Sequence, residues 1–404
     1  MPRLRVFPLA LTALILAACS SGHPAARVRS TTSTSSSTTS TSSPTTTSSS
    51  STSTTLGGPA GGPVPAGFQP ESVTFVSAQR GWVLGSGPCS HPVCTSVLRT
   101  TDGGRTWAGI PAPVAPLGPG EEGSPGVAEL RFADPLDGWA FGSELWSTHD
   151  GGAHWKQVHL PGAQGLPASV VSLEAGGGEV YALDIPGTQQ SAGTAAAQLY
   201  QTAAGADAWT AVTGASVPAA EAGKVVVSGS GAWVDVQTSG AQAVFLARGT
   251  GGWSRHPLPC GQPSLTLAAV TATDMATICA GGGAAGQQPK QLYSSSDAGS
   301  TWHPVSSGPM AGDTLGAAMA SPSVVVVAAA SGASFLYGTF DAGRSWSTVY
   351  QDTAGGGAPW RDLGFTDASQ GVVVEGLQPG TAGLPPNRLL MTRDGGHTWA
   401  PVTF

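Results

Sequence analysis

The octapeptide TTDGGRTW, at residues 100–107, decides the fold because close copies of it recur along the chain. Four further segments align with it without gaps: THDGGAHW (148–155), SSDAGSTW (295–302), TFDAGRSW (339–346) and TRDGGHTW (392–399). Two weaker copies, ending at Trp209 and Trp253, fill the gap between the second and third of these five. The seven terminal tryptophans are 44 to 54 residues apart. Seven units of about 48 residues therefore occupy roughly residues 68–404.

Each unit has the same internal order of four short strands. In the first unit we predict strands at 73–76 and 81–85, a third at 97–101 that enters the octapeptide turn, and a fourth at 106–110. Comparable first and second strands are 129–132 with 138–142, 266–270 with 275–280, and 362–365 with 371–375. One small sheet cannot bury both faces, so seven must pack radially. The sequence predicts an all-β fold, a seven-bladed β-propeller of four-stranded antiparallel blades.

The aspartate of each octapeptide suits a tight turn. Its carboxylate can accept hydrogen bonds from backbone N–H groups ahead of it, and the glycine two residues later takes a positive φ without steric cost. The terminal tryptophan can bury its ring between sheets. One function does not need five dispersed copies, so we interpret these residues as structural rather than catalytic or metal-binding. The pairs are Asp102 with Trp107, Asp150 with Trp155, Asp297 with Trp302, Asp341 with Trp346, and Asp394 with Trp399.

These octapeptides resemble the Asp-box of the bacterial neuraminidase repeat, S/T-x-D-x-G-x-T/S-W. With the neighbouring GWVLG (81–85) and DGWAFG (137–142) segments, the folded region is more specifically similar to the photosystem II assembly and stability factor family of propellers. That resemblance implies an assembly or binding role. Ala204 replaces the aspartate of the third copy and the fourth copy is shortened, so we expect those two turns to be less rigid.

The composition excludes other classes of protein. The chain has 58 Gly and 32 Pro among 404 residues and only 10% charged residues, which disfavours a helical bundle. The net charge is −7 and the folded region has no basic block. We therefore expect no nucleic-acid partner.

Residues 1–18 combine two arginines, a short apolar run and small residues before Cys19. This resembles a bacterial lipoprotein signal, which implies a lipid on Cys19 and anchoring to the outer face of the cell membrane. A plain secretory signal is the alternative. Residues 30–55 are Ser or Thr except Pro44, so we expect a disordered stalk at 19–63 and the propeller at 64–404.

The four remaining cysteines form an even set in an exported chain, which suggests disulfide bonds. The most economical pairing joins Cys89 to Cys94 and Cys260 to Cys279. If the octapeptide turns lie on the lower face, both bridges lie on the upper face, which holds the loops between second and third strands and the loops that join blades. The upper face is therefore our candidate binding face. The alternative is that the bridges only secure long loops in a secreted protein.

Candidate binding residues are the aromatic and charged residues of predicted inter-blade loops. They are Trp360, Arg361, Asp362, Glu121 and Glu122. An aromatic plate beside charges can hold a sugar or a peptide side chain. The alternative is that Trp360 packs against the next blade. We expect an envelope protein or glycan as partner, membrane contact through the lipid, a monomer, and no metal, cofactor or catalytic residue.

The enzyme alternative is a glycoside hydrolase. A neuraminidase would need three arginines, a tyrosine nucleophile with a glutamate, and an aspartate; the chain offers Arg131, Arg361, Arg388 and Tyr350. A carboxylate-pair hydrolase needs two acids across the scissile bond. The candidate acids are Glu121, Glu122, Glu129, Asp184, Asp313, Asp352, Asp362 and Glu375.

Overall fold

A computed structural model describes residues 58–88, 94–118, 125–162, 169–186, 196–239, 242–261, 265–354, 356–377 and 386–404. These residues form seven four-stranded antiparallel sheets, which confirms the predicted seven-bladed propeller. Cys19, the signal and most of the stalk lie outside them. In the described part of the chain no helix is long and apolar enough to span a bilayer.

Every blade consists of four strands that are consecutive in sequence. Blades one to four are β1 (Gln69–Phe75), β2 (Gly81–Gly87), β3 (Cys94–Thr100), β4 (Ala108–Ile110); β5 (Val127–Phe132), β6 (Gly138–Gly142), β7 (Leu145–Thr148), β8 (Lys156–Val158); β9 (Val170–Gly176), β10 (Glu179–Asp184), β11 (Ala197–Ala203), β12 (Thr210–Val217); β13 (Ala220–Ser228), β14 (Gly231–Thr238), β15 (Gln242–Gly249), β16 (Gly252–His256). Blades five to seven are β17 (Ala268–Ala269), β18 (Met275–Ala280), β19 (Lys290–Ser295), β20 (His303–Ser307); β21 (Asp313–Ser321), β22 (Val324–Ala330), β23 (Ser334–Thr339), β24 (Ser347–Asp352); β25 (Trp360–Phe365), β26 (Gly371–Glu375), β27 (Arg388–Thr392), β28 (Ala400–Pro401). The described residues thus close the ring without a strand shared between the first and last blades.

The octapeptide turns are held by the same contacts in repeated form. In the first, Asp102 Oδ1 accepts hydrogen bonds from the backbone N–H groups of Arg105 and Thr106 at 3.0 and 2.9 Å. Thr106 Oγ1 donates to Asp102 Oδ2 at 2.6 Å. These bonds, led by that from the Thr106 hydroxyl, lower the pKa of Asp102 to about 2, so its carboxylate stays ionised and keeps accepting. The five aspartates therefore contribute to turn structure.

A backbone hydrogen bond ties each of these five turns to the turn between the first two strands of the same blade. The pairs are Gly103 N to Gln79 O, Gly151 N to Leu136 O, Ala298 N to Thr273 O, Ala342 N to Ser323 O, and Gly395 N to Ser369 O, at 2.8 to 3.1 Å. The two kinds of turn therefore share the lower face. The loops that join blades lie on the upper face.

A phenylalanine at the end of the first strand packs over a glycine at the start of the second. In blade two, a Cβ added to Gly138 would lie 2.6 Å from the ring of Phe132. Phe132 is itself stacked on Trp82 of blade one, with ring centroids 3.9 Å apart, and Trp155 packs edge-on against it. One phenylalanine therefore joins two blades, and glycine is required beside it. Phe75 with Gly81 and Phe365 with Gly371 repeat the contact.

Two predicted features at the edges of the fold can be compared with the structure. Cys260 and Cys279 form the expected disulfide, which links the end of blade four to the second strand of blade five. Cys94 opens β3, but its expected partner, Cys89, lies outside the described residues. Gly62, expected in the stalk, pairs with Gly109 of the outer strand of blade one. Contacts with the propeller therefore begin before the expected boundary at residue 64.

We predict that Gly138→Ala destabilises the fold by about 1–3 kcal/mol, because the new methyl group overlaps a phenylalanine ring that two tryptophans hold in place. The measurement is the urea midpoint of unfolding. Gly251→Ala is the matched control, since an added Cβ at Gly251 meets nothing within 4 Å. Equal midpoints for the two variants would contradict this account of the contact between phenylalanine and glycine that three blades repeat.

Candidate functional site: the axial cavity

The first strands of the blades surround a cavity of about 390 Å³. Every blade contributes to its lining, and one representative from each is Thr74, Glu129, Glu174, Lys224, Leu265, Leu315 and Asp362. One side of the cavity, from blades two, three and seven, carries acidic groups. The side formed by blades five and six is apolar. We call this space the axial cavity.

Arg131 on β5 is the centre of the charged side. Its Nε donates to Glu174 Oε1 at 3.0 Å, and its Nη2 donates to Asp362 Oδ1 at 2.8 Å. Its Nη1 donates to the carbonyl oxygen of Leu130 at 2.8 Å and contacts Ser72 Oγ at 3.4 Å. All three guanidinium nitrogens are therefore engaged by the protein itself, and Arg131 joins blades one, two, three and seven.

Asp362 connects three blades from an unusual backbone position. Its Oδ2 accepts the backbone N–H of Val73 in blade one at 2.8 Å, while Oδ1 accepts from Arg131 in blade two. Its φ is +52°, which is costly for a residue with a Cβ, and the pairing of β25 with β26 is irregular there. Burial raises the pKa of this carboxyl, but Arg131 and the hydrogen bonds outweigh burial and hold the pKa below its usual range.

A second ion pair lies at the junction between blades seven and one. Arg361 Nη1 lies 2.6 Å from Glu71 Oε2, and Asn387 Nδ2 donates to Glu71 Oε1 at 2.8 Å and to the Pro70 carbonyl at 3.0 Å. Burial raises the pKa of Glu71 to about 7 in spite of Arg361. With Asp362, these residues close the ring through side chains.

Glu129 and Glu174 are the acids of the cavity that keep accessible surface, with 39% and 32% of their side chains exposed. Glu129 Oε2 lies 3.6 Å from Arg131 Nη2, too far for a hydrogen bond. The cavity walls enclose its carboxyl, and this burial, with the charge of Asp362, raises its pKa to about 7 against the opposing effect of Arg131.

The three lysines of the sequence, Lys156, Lys224 and Lys290, lie in contrasting settings. Lys156 on β8 is largely exposed. Lys224 lines the axial cavity and donates to the Leu267 carbonyl at 3.2 Å; burial lowers its pKa against the attraction of Glu174 and Asp235. Lys290 is buried, and its Nζ lies within hydrogen-bond distance of four backbone carbonyl oxygens, the nearest being that of Gly312 at 2.6 Å. Lys290 therefore supports an inter-blade loop.

The structure corrects our placement of Trp360, Arg361 and Asp362 in an exposed loop. Trp360 opens β25 and is only 5% exposed, and its indole N–H donates to the Ala329 carbonyl of blade six at 3.0 Å. It is therefore packed against a neighbouring blade, which is the alternative that we considered, and its indole ring has no exposed face on which a ligand could stack. Arg361 and Asp362 lie on the same strand and engage blade one. Glu121 and Glu122 lie outside the described residues.

The neuraminidase residues do not form the expected arrangement. Tyr350 donates to Glu375 at 3.2 Å, but burial raises its pKa to about 12, which disfavours a phenolate nucleophile. Arg388 pairs with Glu375 and Asp352. Arg131 and Arg361 pair with other carboxylates, so the three arginines do not leave a common site for a substrate carboxylate.

Sequence reasoning missed Glu71, Glu174 and Lys224. A signal was present, because first strands face the axis and a charge there is conspicuous in a chain with 10% charged residues. In the described part of the chain no group of three or more His, Cys, Asp or Glu side chains could hold a metal ion. The fold and the site together define a seven-bladed β-propeller with a charged axial cavity.

No protein-family model matches the chain, and no curated protein matches it. Solved structures share its fold. YCF48 from Cyanidioschyzon merolae is 17% identical, with a TM-score of 0.54, over 83% of this chain and 98% of that chain. YCF48 bound to D1 peptide is also 17% identical, with a TM-score of 0.54, over 82% and 95%.

The β-propeller domain of the trilobed protease from Pyrococcus furiosus, which has an open velcro topology, is 7% identical. Its TM-score is 0.50, over 83% of this chain and 98% of that chain. At these identities the likeness shows the fold alone. These matches therefore agree with the predicted β-propeller fold.

We predict that Asp362→Ala lowers the free energy of unfolding by about 3–5 kcal/mol, because it leaves Arg131 short of its partner in a buried ion pair. The backbone N–H of Val73 should exchange with deuterium faster than in the unaltered protein, since it loses its acceptor. Asp313→Ala, at an exposed position, is the control. A protein with unchanged stability and exchange would show that the ring does not depend on Asp362.

We also predict that stability falls as the pH rises from about 5 to 8. Glu71, Glu129 and Asp235 all have a pKa raised to about 7. Between their unfolded and folded pKa values the folded chain binds more protons, so deprotonation favours unfolding. Urea midpoints at pH 5.5 and 7.5 measure the slope. Glu71→Gln should reduce it, and a slope of the opposite sign would contradict the prediction.

Proposed function

We propose that this protein is a non-enzymatic bacterial surface lipoprotein whose propeller binds an envelope protein through the axial cavity and assists its assembly. In this proposal Cys19 carries the lipid at the outer face of the cell membrane, and the Ser/Thr-rich segment holds the propeller away from it. An envelope glycan is the other ligand class that the sequence suggested. The observation that supports this proposal most strongly is the axial cavity, which is lined by all seven blades and is rich in polar groups.

The state of the acids supports binding over catalysis. Both oxygens of Asp362 are occupied by Arg131 and by the Val73 N–H, so that carboxylate serves the ring. A rigid scaffold with a few accessible polar groups in a concave site is typical of ligand binding. The name of the solved complex of YCF48 with D1 peptide states that a propeller of this fold binds a peptide.

The proposal predicts which face of the protein meets its partner. A photo-crosslinking amino acid at Leu315, which lines the cavity and is 44% exposed, should give one discrete protein adduct in the producing bacterium. The same amino acid at Thr348, on the outer strand of blade six, should not. Full-length chain is used in both arms. An adduct from Thr348 alone would place the binding surface elsewhere and overturn the proposal.

A carboxylate-pair hydrolase remains the second candidate because of one observation. Glu129 has a pKa of about 7 and shares Arg131 with Glu174, and a carboxyl that is protonated near neutrality can act as a general acid. Purified protein would then release product from β-glucans, and Glu129→Gln would abolish the release. The binding proposal expects no product from either protein.

A further inference from the structure

We propose that the axial cavity receives the side chain of an arginine from the partner, with the guanidinium group against Glu129 and Glu174 and the aliphatic stem against Leu315. This inference rests on the proposed function and gives the bound group a chemical class. It follows from the unequal numbers of free acceptors and donors in the cavity, from the apolar side opposite them, and from the size of the space.

The cavity has more acceptors to offer than donors. Arg131 has every guanidinium nitrogen engaged and Asp362 has both oxygens engaged. Glu174 accepts from Arg131 through Oε1 and leaves Oε2 available, while the described contacts give Glu129 no hydrogen bond at all. Among the described contacts, up to three carboxylate oxygens on two adjacent blades therefore accept no hydrogen bond: Oε2 of Glu174 and both oxygens of Glu129.

The charge balance favours a cation. The acids of the cavity are Glu129, Glu174 and Asp362, and the cations not paired with Glu71 are Arg131 and Lys224. Lys224 also has Asp235 beside it, and above pH 7, where Asp235 and Glu129 are ionised, the negative charges of the site outnumber the positive ones. An anionic ligand would meet two accessible carboxylates and be repelled.

The opposite side of the cavity suits an aliphatic stem. Leu315 is one of the few large apolar side chains that remain exposed, and it stands in the lining with Leu265 and Ala317. A long basic side chain buries its methylene groups on such a surface while its charged end reaches polar partners. A bare metal cation would leave this apolar side uncovered.

The geometry selects arginine over lysine. Glu129 and Glu174 lie on the first strands of adjacent blades in one cavity lining, and a planar guanidinium can donate to two carboxylates at once through its several N–H groups, whereas an ammonium group acts as a point charge. Arg131 already bridges Glu174 and Asp362 in this manner within the protein. The cavity, at about 390 Å³, is near the lower end of the roughly 300–1,000 Å³ of ligand sites, which suits a side chain better than a folded domain.

Protonation of Glu129 should oppose this binding. Its carboxyl faces Arg131 on its own strand, Glu174 on β9, and Asp362 and Arg361 on β25. Since its pKa lies at about 7, it loses charge as the pH falls below neutrality. Affinity for a guanidinium should therefore be higher at pH 8 than at pH 6.

The test is titration calorimetry of the full chain with the acetylated, amidated pentapeptide Ala-Ala-Arg-Ala-Ala, alongside versions with lysine or glutamine at the centre. We expect the arginine peptide to bind at least about tenfold more tightly than the glutamine peptide, and more tightly than the lysine peptide. Equal affinities for arginine and glutamine would overturn the inference.

Variants locate the binding. Glu129→Gln should weaken binding of the arginine peptide by about tenfold and remove its pH dependence. Leu315→Lys, at an exposed position that does not support the fold, should abolish binding by supplying a cation from the protein itself. Glu221→Gln, on an exposed part of β13 outside the cavity, is the control. Binding that survives both cavity variants would overturn the inference.

The outcome is separable from that of the proposed function. If the crosslinker at Leu315 captures a partner but the pentapeptides show no preference for arginine, the axial cavity is a binding site for another group and only the present inference fails. If Leu315 captures nothing and Thr348 does, the proposed function fails first.

Discussion

The carboxylate of Asp362 holds together three blades that no shared strand connects. It accepts a backbone N–H from blade one and a guanidinium hydrogen from blade two, while it belongs to blade seven. A buried ion pair must offset the cost of removing both charges from water, and the further hydrogen bonds that Arg131 donates and Asp362 accepts contribute to that offset. The positive φ of Asp362 is the local strain that this junction tolerates.

The same charges determine both the closure of the ring and the character of its centre. Because the guanidinium group of Arg131 donates its hydrogen bonds to groups of neighbouring blades, it has few N–H groups left to offer a ligand in the cavity. Glu129 and Glu174 then dominate the accessible polar surface, and one of them titrates near neutrality. A change made to alter recognition at this site therefore also affects the seam between blades one and seven.

Local regularity made the fold predictable from the sequence, whereas the site depends on contacts between distant residues. The octapeptides and strand pairs gave the blade number, and the strands Gly138–Gly142, Met275–Ala280 and Gly371–Glu375 have the predicted bounds. Asp362 and Arg131 are 231 positions apart, and spacing does not reveal that they meet. Trp360 was misplaced because the strand begins at residue 360, two residues earlier than predicted, and this turns an apparent loop tryptophan inward.

The uneven burial of the lysines has a practical consequence. Lys290 is enclosed by carbonyl oxygens and Lys224 lies within the ring, whereas Lys156 projects from the outer strand of blade two. Amine-reactive reagents that are too large to enter the axial cavity should therefore modify Lys156, on the outer edge of the propeller, in preference to the other two lysines. A dye or a solid support coupled there would leave the axis unobstructed and present every molecule in the same orientation.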